Sequence, residues 1–190
     1  MSNYPLDTIR HSQAHLMAQA VMRVFPNQKL RLGIGPTIEH GFYYDIEMEH
    51  RLTDDDLKEI EALMKKIIKE KLPIERTTLQ RDEALKFFQE SNQLLKVELI
   101  EELPADEEIS CYQQGEFIDL CRGPHVENTS QLPTNFKLLN TAGAYWRGDS
   151  DRQMLQRIYA ASFGDRKELK QHLHFLEEAK KRDHRKLGNE

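Results

Sequence analysis

The chain has 190 residues and a formal net charge of −5, with 38% hydrophobic and 31% charged residues, a balance that suits one domain with its own core, or a domain with an appendage. No apolar run reaches the ~20 residues of a membrane span, and the opening "MSNYPLDTIR" lacks the apolar core of a secretory signal, so no membrane partner is expected. Two cysteines, Cys111 and Cys121, are too few for a disulfide framework and place the chain by default in a reducing cytoplasm, while the negative charge leaves any RNA contact to local basic patches or to another domain.

In chain order, a first helix is predicted from Asp7 to Phe25, with Asp7 as N-cap and Pro26-Asn27 ending it. Leu6, Ile9, Leu16, Met17, Ala20, Val21 and Val24 give it a broad apolar arc. The alternation in "KLRLGIGPTIEHGFYYDIEME" predicts a hairpin turning through Gly35-Pro36 and Gly41. A second helix is predicted over Thr53–Lys71: Thr53 caps it, Asp54 to Asp56 suit the positive end of the dipole, and Leu57, Ile60, Met64, Ile67 and Ile68 form its stripe. Next come a strand ("PIERTTLQ"), a short helix ("RDEALKFFQE"), a strand ("QLLKVELIEEL") and an extended segment broken at Gln114-Gly115 ("EISCYQQGEFIDLC"). Two more strands follow, "FKLLNTAGAYWRG" and "RQMLQRIYAASF". From Asp165 a charged helix bears Leu169, Leu173 and Leu176 on one face and little else to bury, either a solvated helix end or a linker within a longer protein. The expected class is α+β: helices packed on a curved, mostly antiparallel β-sheet, a smaller αβ segment, and a C-terminal charged helix.

Two short stretches carry chemistry. His11 and His15 lie four apart and share a helix face, at the border between the apolar arc and a narrow polar strip of Ser12, Gln19 and Arg23. "DLCRGPH" ends an apolar strand at Cys121, then turns through Gly123-Pro124 to present His125. Together they offer three imidazoles and a thiol, enough for a tetrahedral zinc site, for a water-activating site with an open position, or for a cysteine nucleophile with a histidine base. A buried Cys121 packing as a small hydrophobe is the alternative without chemistry. Asp119 precedes Cys121 by two, so on an extended strand both face one side. Lys96 stands among apolar neighbours in "LLKVEL": outward it is solvated, inward its cation suits a carbonyl or phosphate. In "GIGPTIEHGFYYDIE" three glycines and a proline surround aromatics, which serves either close backbone approach at a pocket or ordinary turns and core packing.

The order of HxxxH (His11, His15), "GIGPTIEHGFYYD" (Gly33 to Asp45), "DLCRGPH" (Asp119 to His125) and "TAGAYWRGDSDRQMLQRIYAASF" (Thr141 to Phe163) closely resembles the editing domain of bacterial threonyl-tRNA synthetases, within the wider threonyl/alanyl editing superfamily. The resemblance covers nearly the whole chain. It implies an editing domain over residues 1–163 and, over 164–190, a linker helix toward an aminoacylation domain that the chain lacks; alone, the chain is not expected to activate threonine. The implied activity is hydrolysis of serine esterified to threonine tRNA. An apolar pocket separates side chains that differ by one methyl by only ~1–3 kcal/mol, so a second, smaller sieve that rejects threonine sterically removes the error.

By the same resemblance, His11, Lys96, Asp119, Cys121 and His125 are catalytic. His11 and Lys96 orient the 3′-terminal ribose and the ester, while His125, Cys121 and Asp119 hold the attacking water and the serine. His15, Tyr43 and Tyr112 line the substrate, with Tyr44 one register step from Tyr43, and Gly33 and Gly35 admit the terminal adenosine. The family resemblance implies no required cofactor; zinc on His11, His15, Cys121 and His125 is the alternative. The implied partners are the 3′ end of threonine tRNA carrying serine and the rest of the synthetase. Rival readings are a non-catalytic tRNA-binding or zinc-stabilised module, and a free-standing editor acting in trans. The Met1 start fits the latter, whereas the charged terminal helix reads as an interrupted protein.

Overall fold

The fold is taken from a computed structural model that describes residues 4–188. Helix α1 (Leu6–Val24) runs through its centre, with nearly every side chain from Thr8 to Val21 buried. This is more than an amphipathic arc: Ser12 and Gln19 of the polar strip, with Gln13, are inside as well, and find partners there. The Gln114 side chain donates to Gln19 Oε1 at 2.6 Å, Gln19 donates to the Gln114 backbone carbonyl at 3.1 Å, and Ser162 donates to the Gln13 side chain at 2.5 Å. The N-cap is Pro5, without a side-chain cap, and not Asp7 as expected. Asp7 sits in the first turn, where its negative charge favours the helix dipole, and accepts from the Thr37 hydroxyl at 2.7 Å.

The first sheet comprises β1 (Arg31–Leu32), β2 (Thr37–Ile38), β3 (Gly41–Glu47), β7 (Phe136–Tyr145) and β8 (Met154–Ser162), paired antiparallel in the order β1-β3-β8-β7, with β2 also on β3. The hairpin turn lies at Glu39-His40, not at Gly35-Pro36. Gly41 begins β3, where a Cβ would stand 1.8 Å from the Ala160 carbonyl oxygen, so glycine there permits the close approach of β8. Helix α2 (Asp54–Lys69) packs beside α1; Thr53 and Asp56 form the reciprocal capping box. Its buried Leu57, Ile60, Met64, Ile67 and Ile68 join Leu16, Phe42 and Phe136 in the main core.

Between β3 and β7 the chain builds the smaller αβ unit: β4 (Ile74–Leu79), α3 (Arg81–Glu90), α4 (Leu94–Glu102), β5 (Ile109–Gln114) and β6 (Phe117–Leu120), with an antiparallel sheet β4-β5-β6. The segment "QLLKVELIEEL", expected as a strand, is the helix α4. It is enclosed on two flanks, with Val97 and Ile100 against Ala84, Phe88 and Ile109, and Leu95 against Trp146 and Leu155. A helix buried on several sides reads as a continuous apolar run, which periodicity cannot separate from a buried strand. The charged C-terminal helix is α5 (Arg166–Gly188), and residues 189–190 of the expected linker lie outside the described residues. No helix among the described residues is long and apolar enough to cross a membrane.

Candidate functional site

Four elements meet at one opening of about 230 Å³. Helix α1 supplies His11 and His15, α4 supplies Lys96, and the end of β6 supplies Asp119 and Cys121; Ile34, Pro36 and Leu99 form its apolar wall. His125 follows on the loop after the cis Gly123-Pro124 bond and packs its ring 4.3 Å from His11 and 4.2 Å from His15.

At the floor is a buried charge cluster. Asp119, 1% exposed, lies 2.7 Å from Lys96 Nζ and 3.1 Å from His15 Nε2, and Oδ2 accepts the Tyr44 hydroxyl at 2.6 Å. Lys96 also donates to the Gly33 carbonyl at 2.6 Å, so its cation is turned inward and fully engaged. Burial alone would neutralise this carboxyl, but Lys96 first and His15 second hold it well below the ordinary carboxylate range. Burial likewise opposes a charged His15, yet Asp119 outweighs it and lifts His15 to about 9. Asp119 Oδ1 accepts no aligned hydrogen bond among the described residues; its contact with Lys96 is an ion pair.

Above this floor, Cys121 Sγ stands 3.3 Å from His11 Nε2 and 3.2 Å from His125 Nε2, and accepts the Gly123 N–H. Burial would raise the thiol, but these imidazole contacts bring it down to about 3, so it is a thiolate at neutral pH. Burial and the neighbouring His15 charge lower His125 to about 4, so it is neutral. Ser12 accepts the Val126 N–H at 3.0 Å, which orients its hydroxyl toward His125 Nδ1, also at 3.0 Å. The other cysteine, Cys111, is buried and its thiol is pushed up to about 12; it packs in the second cluster.

The expected aromatic walls are rearranged. Tyr43 lies on the far side of β3, its ring 4.0 Å beneath the Arg157 guanidinium, and its neighbour Tyr44, fully buried, reaches Asp119 instead. The period of a strand explains this: a one-residue step changes faces. Tyr112 stands behind His125 with ring centroids 4.4 Å apart. Gly123 has φ +82, and a Cβ there would stand 2.1 Å from the Tyr112 hydroxyl. Gly33 contributes its carbonyl to Lys96, and Gly35 lies over Tyr44, where a Cβ would come within 2.3 Å of the ring. The residues that the sequence reading missed are Ser12, with no signal beyond its place in the polar strip, and Gln93. The latter is 8% exposed and ties α4 to β1 by accepting from Leu32 N at 2.8 Å and donating to Leu30 O at 3.0 Å.

One ligand atom from each of His11, His15, Cys121 and His125 lies within 4.8 Å of the others. A tetrahedral zinc with bonds of about 2.0–2.3 Å needs ligand atoms roughly 3.3–3.8 Å apart, so the donor set fits that metal by count and softness, with the widest pairs having to draw together by about 1 Å.

Comparison with known proteins finds relatives among tRNA synthetases. Residues 109–159 match the family described as "Threonyl and Alanyl tRNA synthetase second additional domain". Over 186 residues, 97% of this chain and 29% of the relative, it is 58% identical to the threonine--tRNA ligase of Exiguobacterium sp. (strain ATCC BAA-1283 / AT1b). The corresponding figures are 59% over 184 residues for that of Carboxydothermus hydrogenoformans, covering 97% of this chain and 28% of the relative. For that of Halalkalibacterium halodurans they are 57% over 189 residues, covering 100% and 29%. The chain thus spans less than a third of the length of the curated relatives it matches, and its motif-level resemblance to bacterial threonyl-tRNA synthetases is borne out.

Proposed function

We propose that this chain, related over nearly its whole length to a segment of bacterial threonine--tRNA ligases, hydrolyses serine wrongly esterified to threonine tRNA, using a positioned water. The observation that carries the reading is the convergence of His11, Lys96, Asp119 and Cys121 on one small opening, with neutral His125 directly behind. Asp119, anionic and lining the opening, suits the serine ammonium or hydroxyl. Lys96, held against Gly33 and Asp119 beside the opening, suits electrostatic stabilisation of the oxyanion that forms when water adds to the carbonyl, exchanging one of its present partners to contact it directly. His11 and His125 flank the thiolate and suit a water whose proton must move to the departing ribose oxygen. Rejection of threonine would fall to the apolar wall of Ile34, Pro36 and Leu99, the part of the opening suited to meet its extra methyl. An aminoacyl ester is reactive enough that Cys121 need not form a covalent intermediate.

Zinc on His11, His15, Cys121 and His125 is the second reading, favoured by the gathering of three imidazoles and a thiol; bound there it would supply a Lewis acid. The deciding experiment for the activity is deacylation of seryl-tRNA(Thr) by the chain and by His11→Ala, with threonyl-tRNA(Thr) as control. Serine release by the wild type alone, with threonine spared, is the expected result. Equal rates at the spontaneous level for both proteins would remove the hydrolytic reading.

A further inference from the structure

We propose that the connection between β7 and β8 is a clasp on helix α4, which makes Trp146, Arg147 and Arg152 positioning residues for Lys96. Its kinetic consequence rests on the hydrolytic reading above; its structural consequence does not.

Helix α4 has nine residues and no side-chain cap at its N-terminus, and a helix that short does not hold itself in place. Its position comes from its neighbours. Along one face run Leu95, Glu98 and Glu102, spaced three and four apart and therefore aligned. Leu95, fully buried, packs with Trp146 and Leu155. Arg152 Nη2 donates to both carboxylate oxygens of Glu98 at 2.8 Å, and the two terminal nitrogens of Arg147 grip Glu102. Lys96, one residue beyond Leu95, turns about 100° around the helix and enters the site. Leu99 packs against the Trp146 cluster and also lines the opening, so the clasped face and the chemistry share a wall.

The clasp is itself built. Trp146 N–H donates to Gln153 O at 2.9 Å, Arg152 N–H to Asp149 O at 2.9 Å, and Asp151 N–H to Asp149 Oδ1 at 2.9 Å. Arg147 adopts φ 59, a left-handed conformation that is costly for a side chain with a Cβ, and its guanidinium covers the Trp146 ring at 5.6 Å. Both arginine pairs are part-exposed, with side-chain exposures of 36% and 32% for Arg152–Glu98 and 34% and 53% for Arg147–Glu102. Such pairs add little global stability. Two forked contacts one turn apart, beside a buried indole, instead fix where α4 sits and how it is rotated. The stretch "AYWRGDSDRQ", which the site itself does not use, thereby acquires a role.

The test uses the whole chain as Arg147→Gln/Arg152→Gln. We measure seryl-tRNA(Thr) hydrolysis, thermal melting and the NMR signal of the Lys96 ammonium, assigned by its loss in Lys96→Met. The expected result is a displaced Lys96 signal, a near-native melting temperature and a kcat reduced at least about 10-fold, toward the ~100-fold that a misplacement of about 1 Å brings, with KM little changed. The swap Arg152→Glu/Glu98→Arg is expected to restore both signal and kcat, while Glu98→Arg alone does not. If the double variant does not fold, Arg152→Gln alone carries the same comparison. An unmoved Lys96 signal with wild-type kcat overturns the clasp, as does a swap that restores neither. If the wild type itself releases no serine, the hydrolytic reading fails, and the Lys96 signal alone then decides the clasp: displaced supports it, unmoved overturns it.

Discussion

Asp119→Asn removes one charge and almost no volume from the centre of the site. The lost carboxylate is 1% exposed and lies 2.7 Å from Lys96 Nζ and 3.1 Å from His15 Nε2. Removing one partner of a buried ion pair costs about 3–5 kcal/mol, because the other is left uncompensated. The elevation of His15 from 6.5 to about 9 gives an independent scale of about 3 kcal/mol. Since the variant can relieve part of the cost by releasing the His15 proton, about 3 kcal/mol is the expected loss near neutral pH, or roughly 6–12 °C in melting temperature for a domain of this size.

The sign against pH follows from the same shifts. His15 has a raised folded-state pKa, so its contribution is complete below 6.5 and lost as pH climbs through about 9. Asp119 is held low, so its contribution is present above the ordinary value of about 4 and disappears as pH falls. The stability gap between wild type and variant is therefore widest between those limits and narrows at both ends. Melts across that range in chelator, with an NMR titration of the His15 ring, measure it. A gap below about 1 kcal/mol near neutral pH, or a His15 midpoint that stays near 9 in the variant, would falsify the electrostatic account.

Gly35→Ala places a Cβ 2.3 Å from the Tyr44 ring, so Tyr44 must move off Asp119; a loss of about 1–3 kcal/mol with impaired serine release is expected, and an unchanged melting curve would contradict it. For the metal, chelator is expected to leave serine-ester hydrolysis intact; activity abolished by chelator and restored by zinc would instead establish the zinc reading.

The cap at Thr53, the strands from Ile74 and Phe136, and the pairing of His11 with His15 and of Cys121 with His125 were legible because each rests on local pattern or short spacing; that the two pairs meet was implied by the family resemblance alone. Asp119 followed from strand geometry, two residues before Cys121. What was hidden depends on surroundings. Helix α4 lost its period because Leu95 and Ile100 are buried on different flanks. That one misassignment left open whether Lys96 faced solvent, although it now donates to Gly33 within the site. Tyr43 and Tyr44 differ by one step, which the sequence alone leaves open and the pairing of Tyr44 with Ile158 resolves.

The site's polar groups occupy positions where apolar residues would serve folding better. Replacing a buried ion pair with hydrophobic residues is often neutral or stabilising, and Ser12, Lys96 and Asp119 are all under 4% exposed. Each is held by partners drawn from different elements: Ser12 by the loop at His125 and Val126, Lys96 by the segment at Gly33, Asp119 Oδ2 by α1 and β3. Such a cluster forms only when all those elements are in register, and it fails when any one of them shifts. Held this way, Lys96 keeps its side chain fixed beside the opening, and electrostatic catalysis depends on charge that is placed in advance.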